Sequence, residues 1–122
     1  MSYYYDWQTV DILPYKGLDA KLSYTFEDIP LRDNFDWEEE EINKLEFKVN
    51  RGDLYWIIAR VELYLGNVTI GDSVLGGILV ESIDELKEVF LPELCDMAYT
   101  EAQEWYNTNK DFLNSKEFND NE

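Results

Sequence analysis

Carboxylates are the one reactive group this chain has in excess: 27 Asp and Glu stand against 10 Lys and Arg, with no histidine. A carboxylate pair can hydrolyse a glycoside by general acid and base catalysis, or hold magnesium for phosphoryl chemistry. Among so many acids such pairs arise by chance. The missing histidine removes the commonest general base and metal ligand, so zinc sites, Ser-His-Asp triads and Cys-His dyads are excluded in their usual form. Gly66 to Gly71 has the G-x-x-x-x-G spacing of a phosphate loop, but Asp72 stands where that motif needs lysine and would repel the phosphate. Asp33, Asn34 and Asp36 lack the spacing and the closing glutamate of an EF-hand loop. Cys95, the single cysteine, reads as a small buried residue on a helix, and without a partner it agrees with a reducing compartment. The expectation is a protein that is not an enzyme, with no catalytic residue, no metal site and no cofactor.

What remains is the charge itself. A net charge of -17 on 122 residues far exceeds the magnitude of roughly 2 to 8 that keeps a small domain dispersed. Such a field repels nucleic acid and anionic membranes and steers basic protein surfaces toward the chain. The bases are scattered rather than clustered, which argues against direct nucleic-acid binding. No stretch approaches the roughly 18 apolar residues of a membrane span, and Met-Ser-Tyr-Tyr-Tyr-Asp-Trp has neither the basic nor the apolar region of a signal peptide. A cytoplasmic protein is expected.

The acids are unevenly placed. Between Val61 and Asn109 one base, Lys87, stands among Glu62, Asp72, Glu81, Asp84, Glu85, Glu88, Glu93, Asp96, Glu101 and Glu104. A solvated face explains why such positions are polar, but not why they carry one sign. The run Glu38, Glu39, Glu40, Glu41 is denser, yet acids in a first helical turn are stabilised by the helix dipole. Four consecutive helical residues also point in four directions, and Glu40 can pair with Lys44 at i+4. Glu39 and Glu40 therefore join the candidate partner-binding set behind the ten acids of the second half. Carboxylates on successive helical turns lie about 5 to 6 Å apart, near the spacing of phosphates along a DNA strand. Such rows can occupy a DNA-binding cleft, which is the physical logic of DNA mimicry.

The elements that must carry these rows can be read from periodicity. A strand is expected before Tyr15, and Pro14 and Gly17 read as a turn. Residues 19–26 alternate, with Leu22, Tyr24 and Phe26 on one face and Ser23 and Thr25 on the other. Pro30 and the polar Arg32, Asp33, Asn34 then form a loop. A helix is expected over 37–50, with Asp36 as N-cap, Ile42, Leu45 and Val49 as its stripe and Gly52 as its stop. Phe47 falls off that stripe, and Leu45, Phe47 and Val49 also alternate like a strand. Residues 54–65 form a central strand, with Tyr55, Ile57, Ala59, Val61 and Leu63 on one face. Gly66 and Asn67 turn the chain into a short strand over 68–70. Gly71, Asp72, Gly76 and Gly77 break it before another strand over 78–80. Ser82 to Glu85 is a capping box, and Ile83, Leu86, Val89 and Phe90 follow as one stripe. Pro92 kinks or restarts that helix. Leu94, Ala98, Ala102 and Trp105 carry it to about residue 107. The order β-β-α-β-β-α gives an α+β fold: one domain over residues 1–110, an antiparallel sheet of four to five strands with helices on one face. A polar, frayed tail follows over 111–122.

In its size, its charge, its lack of catalytic residues and its acid-rich stretch from Glu62 to Glu104, the chain resembles the small acidic proteins that phages and plasmids use against host defence, the DNA-mimic antirestriction and anti-CRISPR inhibitors. The resemblance implies a host nuclease or its DNA-recognition module as target, bound stoichiometrically in the host cytoplasm. A cytosolic immunity protein that neutralises a basic nuclease toxin is the alternative, since it too would meet Lys and Arg with rows of acids. The row Tyr3, Tyr4, Tyr5 cannot all face inward on a strand, which leaves an aromatic for a surface or for a homodimer through a sheet edge.

Overall fold

A computed structural model describes the backbone of residues 6–115 and the side chains of residues 6–110. Four strands form one antiparallel meander in the order β1-β2-β3-β4: β1 (Gln8–Tyr15), β2 (Leu18–Phe26), β3 (Tyr55–Leu65) and β4 (Val68–Val80). Between β2 and β3 lie a single turn, α1 (Leu31–Asn34), and the helix α2 (Glu39–Arg51). After β4 a π-helical turn, Leu86–Phe90, leads into the long helix α3 (Leu91–Ser115). The fold is α+β, and the described residues form four strands.

The main core lies between α3 and one sheet face. Because strand side chains alternate, Ile57, Ala59, Val61 and Leu63 of β3 point the same way, and all four are wholly buried. Ala20 and Leu22 of β2, Ile78 and Val80 of β4, and Leu86, Leu94, Cys95, Ala98 and Ala102 of the helical layer complete the cluster. Each fully buried Leu, Ile or Val contributes about 1.5 to 3 kcal/mol of transfer free energy.

The helix comes unusually close to β4. A side chain at Gly71 would place its Cβ 2.3 Å from the Ala98 carbonyl oxygen and 2.9 Å from the Ala102 nitrogen. Only a residue with no side chain lets the helix backbone settle there. Two residues on, the Ser73 hydroxyl donates to the Leu94 carbonyl at 2.7 Å. Gly71 is thus an interior position of a 13-residue strand, which corrects the expected break. Two bulges keep β4 continuous: one lets Ile70 and Gly71 both face inward, and the other places Gly77 at φ 68 opposite Ile58. β4, with 13 residues, is accordingly longer than β3, with 11.

The helices do not all share one face. Trp56 points away from the α3 side, and Leu31, Ile42, Phe35, Leu45, Val49 and Leu79 gather around it. Its indole nitrogen donates to the Ile29 carbonyl at 2.8 Å. The expectation of helices on one face therefore holds for α3, while α1 and α2 pack against the other face at one end of the sheet. α1 occupies part of the expected loop because Leu31 is drawn into this small core. α2 begins at Glu39, two residues later than expected, and its N-cap is Glu38 without a side-chain cap bond. Gly52 closes α2 in the left-handed region, as expected, and Phe47, off the buried stripe, is 60% exposed.

The expected capping box at Ser82 forms by half: Glu85 Oε1 accepts from the backbone nitrogens of Glu81 and Ser82, at 2.7 and 3.3 Å. The π-helical turn sits just ahead of Pro92, whose ring would clash with the carbonyl four residues back in a regular helix. The widened turn rotates Val89 off the expected stripe to 60% exposure, while Leu86 stays buried. α3 runs to Ser115, past the expected end near 107, and residues 116–122 of the expected tail lie outside the described residues, as do Tyr3, Tyr4 and Tyr5.

Replacing Gly71 with alanine is expected to cost at least about 3 kcal/mol in urea unfolding, since two backbone atoms would have to move. Ser73→Ala should cost only about 1 kcal/mol, the usual value of one hydrogen bond. Equal losses would show that the close approach is not what holds α3.

Candidate acidic binding surface

The close approach at Gly71 fixes the rotation of α3. With Leu94, Cys95, Ala98 and Ala102 turned inward, Glu93, Asp96, Met97, Glu101 and Glu104 are left on the outer half, and all five are exposed. Glu93 and Glu104 are eleven residues apart, about 16 Å along the axis. Ahead of the helix, Glu81, Asp84 and Glu88 are exposed as well. None of Glu81, Asp84, Glu88, Glu93, Glu101 and Glu104 pairs with a base among the described residues.

Lys87 is the base that could dilute this surface, and it is already occupied. Its ammonium lies 2.8 Å from Asp11 Oδ2 of β1. That contact, followed by the Ile12 backbone N-H, holds the Asp11 carboxyl below its ordinary value, and the same contact raises Lys87. The pair is neutral as a unit, and Asp84 adds a weaker contribution to the same rise in Lys87.

The remaining candidates are otherwise engaged. Glu85 is the cap described above. Asp96 accepts a hydrogen bond from the Tyr15 hydroxyl, and that bond, with desolvation, pushes Tyr15 up to about 12. Glu62 and Asp72 sit on the sheet face away from α3, where Arg60 Nη2 approaches them at 3.3 and 3.7 Å. Arg60 also lies over the Trp7 ring, 5.4 Å from its centroid. Glu39 belongs to a clasp in which Arg32 of α1 reaches Glu39 at 3.0 Å and Glu46 at 2.7 Å, and donates to Asn43 at 3.0 Å. Glu46 first and Glu39 second raise the Arg32 pKa further above its already high value. Glu40 meets Lys44 at 4.0 Å, the expected i+4 pair, with both side chains largely exposed. The twelve candidates therefore do not form one surface. Six of them are exposed along α3 and the turn before it, with Glu101 toward the β4 side in hydrogen-bond contact with Asp72.

Two exposed apolar side chains lie in that ridge and were not legible as surface: Val89 and Met97, the latter 48% exposed. Val89, Glu93, Met97 and Glu101 follow one another at i+4 intervals, so apolar and acidic groups alternate along it. At the β4 side, burial first and the charge of Asp72 second raise the Glu101 carboxyl above its ordinary value. Burial likewise raises the Cys95 thiol and keeps it protonated. Among the described residues no group of three His, Cys, Asp or Glu is placed to hold a metal ion, and no helix is long and apolar enough to cross a membrane. No family model matches the chain, and no curated protein or solved structure matches it.

The raised pKa of Glu101 has a definite sign for stability. A carboxyl that binds its proton more tightly when folded stabilises fully below its unfolded pKa, about 4.3, and that contribution is lost as pH rises through the folded value. Glu101→Gln should therefore stabilise the protein slightly at pH 7, by less than about 0.5 kcal/mol for so exposed a group. The gain should vanish near pH 4 in thermal melts. In a spectrophotometric titration one tyrosine should ionise near 12, and Tyr15→Phe should remove that step.

Proposed function

We propose that this protein acts without catalysis, binding through the α3 ridge to the basic nucleic-acid-binding surface of another protein and blocking it as a DNA mimic. The observation that carries the reading is the row of six exposed carboxylates, Glu81, Asp84, Glu88, Glu93, Glu101 and Glu104, with no base in an ion pair with any of them among the described residues. Unpaired charges of one sign raise the association rate with a surface of the opposite sign and disfavour partners of the same sign. α3 presents Glu93, Glu101 and Glu104 on a regular helix, so little conformational entropy is lost there on binding. The apolar Val89 and Met97 supply contacts that release water at the centre of such an interface. A host defence nuclease or its DNA-recognition module is the target class that fits this chemistry.

The test is competition. Proteins captured from a host lysate on the immobilised chain are eluted with salt, purified, and rebound in the presence of a duplex oligonucleotide. Duplex DNA should displace them, and binding should weaken strongly with ionic strength. Exchanging Glu88, Glu93 and Glu104 together for lysine should weaken binding at least about a hundredfold, while Glu39→Lys should leave it within about threefold. Partners that DNA fails to displace, or that tolerate the triple exchange, would overturn the reading. A single secreted-toxin domain among the captured proteins would instead identify an immunity protein.

A further inference from the structure

The outward side of α2 is the part of the molecule that an acidic ridge leaves unexplained. Ile42, Leu45 and Val49 face Trp56, and directly opposite them run Glu40, Lys44, Phe47 and Arg51. Their spacing of four, three and four residues is that of a coiled-coil seam. All four are exposed, and Phe47 at 60% is far more open than a residue of its size usually is on a helix with a packed face. The Arg32 clasp grips α2 on its flank through Glu39, Asn43 and Glu46 and leaves this stripe clear.

We infer that this stripe is a homodimer seam, in which α2 packs antiparallel against α2 of a second copy. A twofold axis at the middle of the stripe sets Glu40 opposite Arg51 of the other copy and Lys44 opposite its Phe47, and the same two pairs recur on the other side. Every position thus meets its chemical complement: two ion pairs at the ends and two cation-π contacts at the centre. A stripe whose charge reads the same along both directions would not have this property.

Charge also selects this location. Two chains of -17 repel each other over most of their surfaces. Lys44, Lys48 and Arg51 fall within eight residues, and no other stretch of that length holds three bases. The sheet edges are poorer sites: β1 carries Pro14 and a bulge at Val10, while the β4 side would bring Asp72 and Glu101 against their own copies. The contacts the stripe makes within one chain are exposed and exchangeable: Lys44 to Glu40 at 4.0 Å, Arg51 to Asp53 at 3.4 Å, and Arg51 over Phe47 at 5.4 Å. One helix seam buries less than the roughly 1,200 Å² of a stable complex, so the dimer is weak and depends on concentration.

Sedimentation equilibrium of the full chain tests this, from about 10 μM to 1 mM, in about 0.3 M NaCl to screen the overall repulsion. The wild type should show a monomer-dimer equilibrium. Phe47→Glu and Arg51→Glu should each raise the dissociation constant at least about tenfold. The double exchange Glu40→Arg with Arg51→Glu should return it to within about threefold of wild type. All three change exposed positions, and circular dichroism confirms that each variant is folded. A wild type that stays monomeric throughout, a dimer indifferent to Phe47→Glu and Arg51→Glu, or a double exchange no better than Arg51→Glu alone would overturn the inference.

Discussion

The contact on which the rest of this molecule depends is the meeting of two backbones, β4 at Gly71 and α3 at Ala98 and Ala102. Helices normally rest on a sheet through their side chains, which permits some rolling. Here the helix is seated against the strand itself, and the bond from Ser73 to the Leu94 carbonyl fixes its position along the strand. Rotation and height are therefore set together. Leu94, Cys95, Ala98 and Ala102 close the core, and the acids on the remaining half of α3 have nowhere to go but outward.

Electrostatics then divides the surface. With ten bases for 27 acids, where the bases are used decides where charge is left over. Arg32 is spent tying α1 to α2, Arg60 serves the sheet face between Glu62 and Asp72, and Lys87 neutralises Asp11. Among the described residues no base forms an ion pair with Glu93, Glu101 or Glu104 of α3. On the far side of the sheet, α2 holds the local concentration of bases. One side of the molecule is thus suited to a basic partner and the other to a second copy of itself.

Much of the fold was legible in the sequence, and the reasons for the rest are specific. The alternation in β3, the stripe of Leu94, Ala98 and Ala102, and the stop at Gly52 each follow from a local periodicity or a local backbone requirement. The alternation in β2 misled at its end, where Ser23 and Thr25 are buried and Phe26 is exposed. Gly71 was misread because a glycine that marks a turn and a glycine that admits a helix backbone look alike until the helix is in place. Val89 was misread because the π-helical turn before Pro92 alters the period on which the stripe was counted. Among the acids, sequence located the charge-rich half of the chain but could not see which carboxylates had partners. Glu85 was at least readable as a cap from its capping box. Glu62 with Arg60 was readable too, since residues two apart on a strand share a face. Asp96 with Tyr15, and Arg60 with Asp72, depend on the placement of α3 and on strand pairing, which no spacing encodes.

Carboxyl labelling by carbodiimide and an amine, read by peptide mass spectrometry, tests most directly whether the free acids of α3 and of the segment before it are the working surface. For the protein alone, Glu81, Asp84, Glu88, Glu93 and Glu104 should label fast, and Glu62, Glu85 and Asp96 slowly. With a DNA-displaceable partner bound, the fast group should become protected while Glu38 and Glu41 continue to react. Protection confined to the Glu38 to Glu41 run, with the acids of α3 still reactive in the complex, would contradict the account.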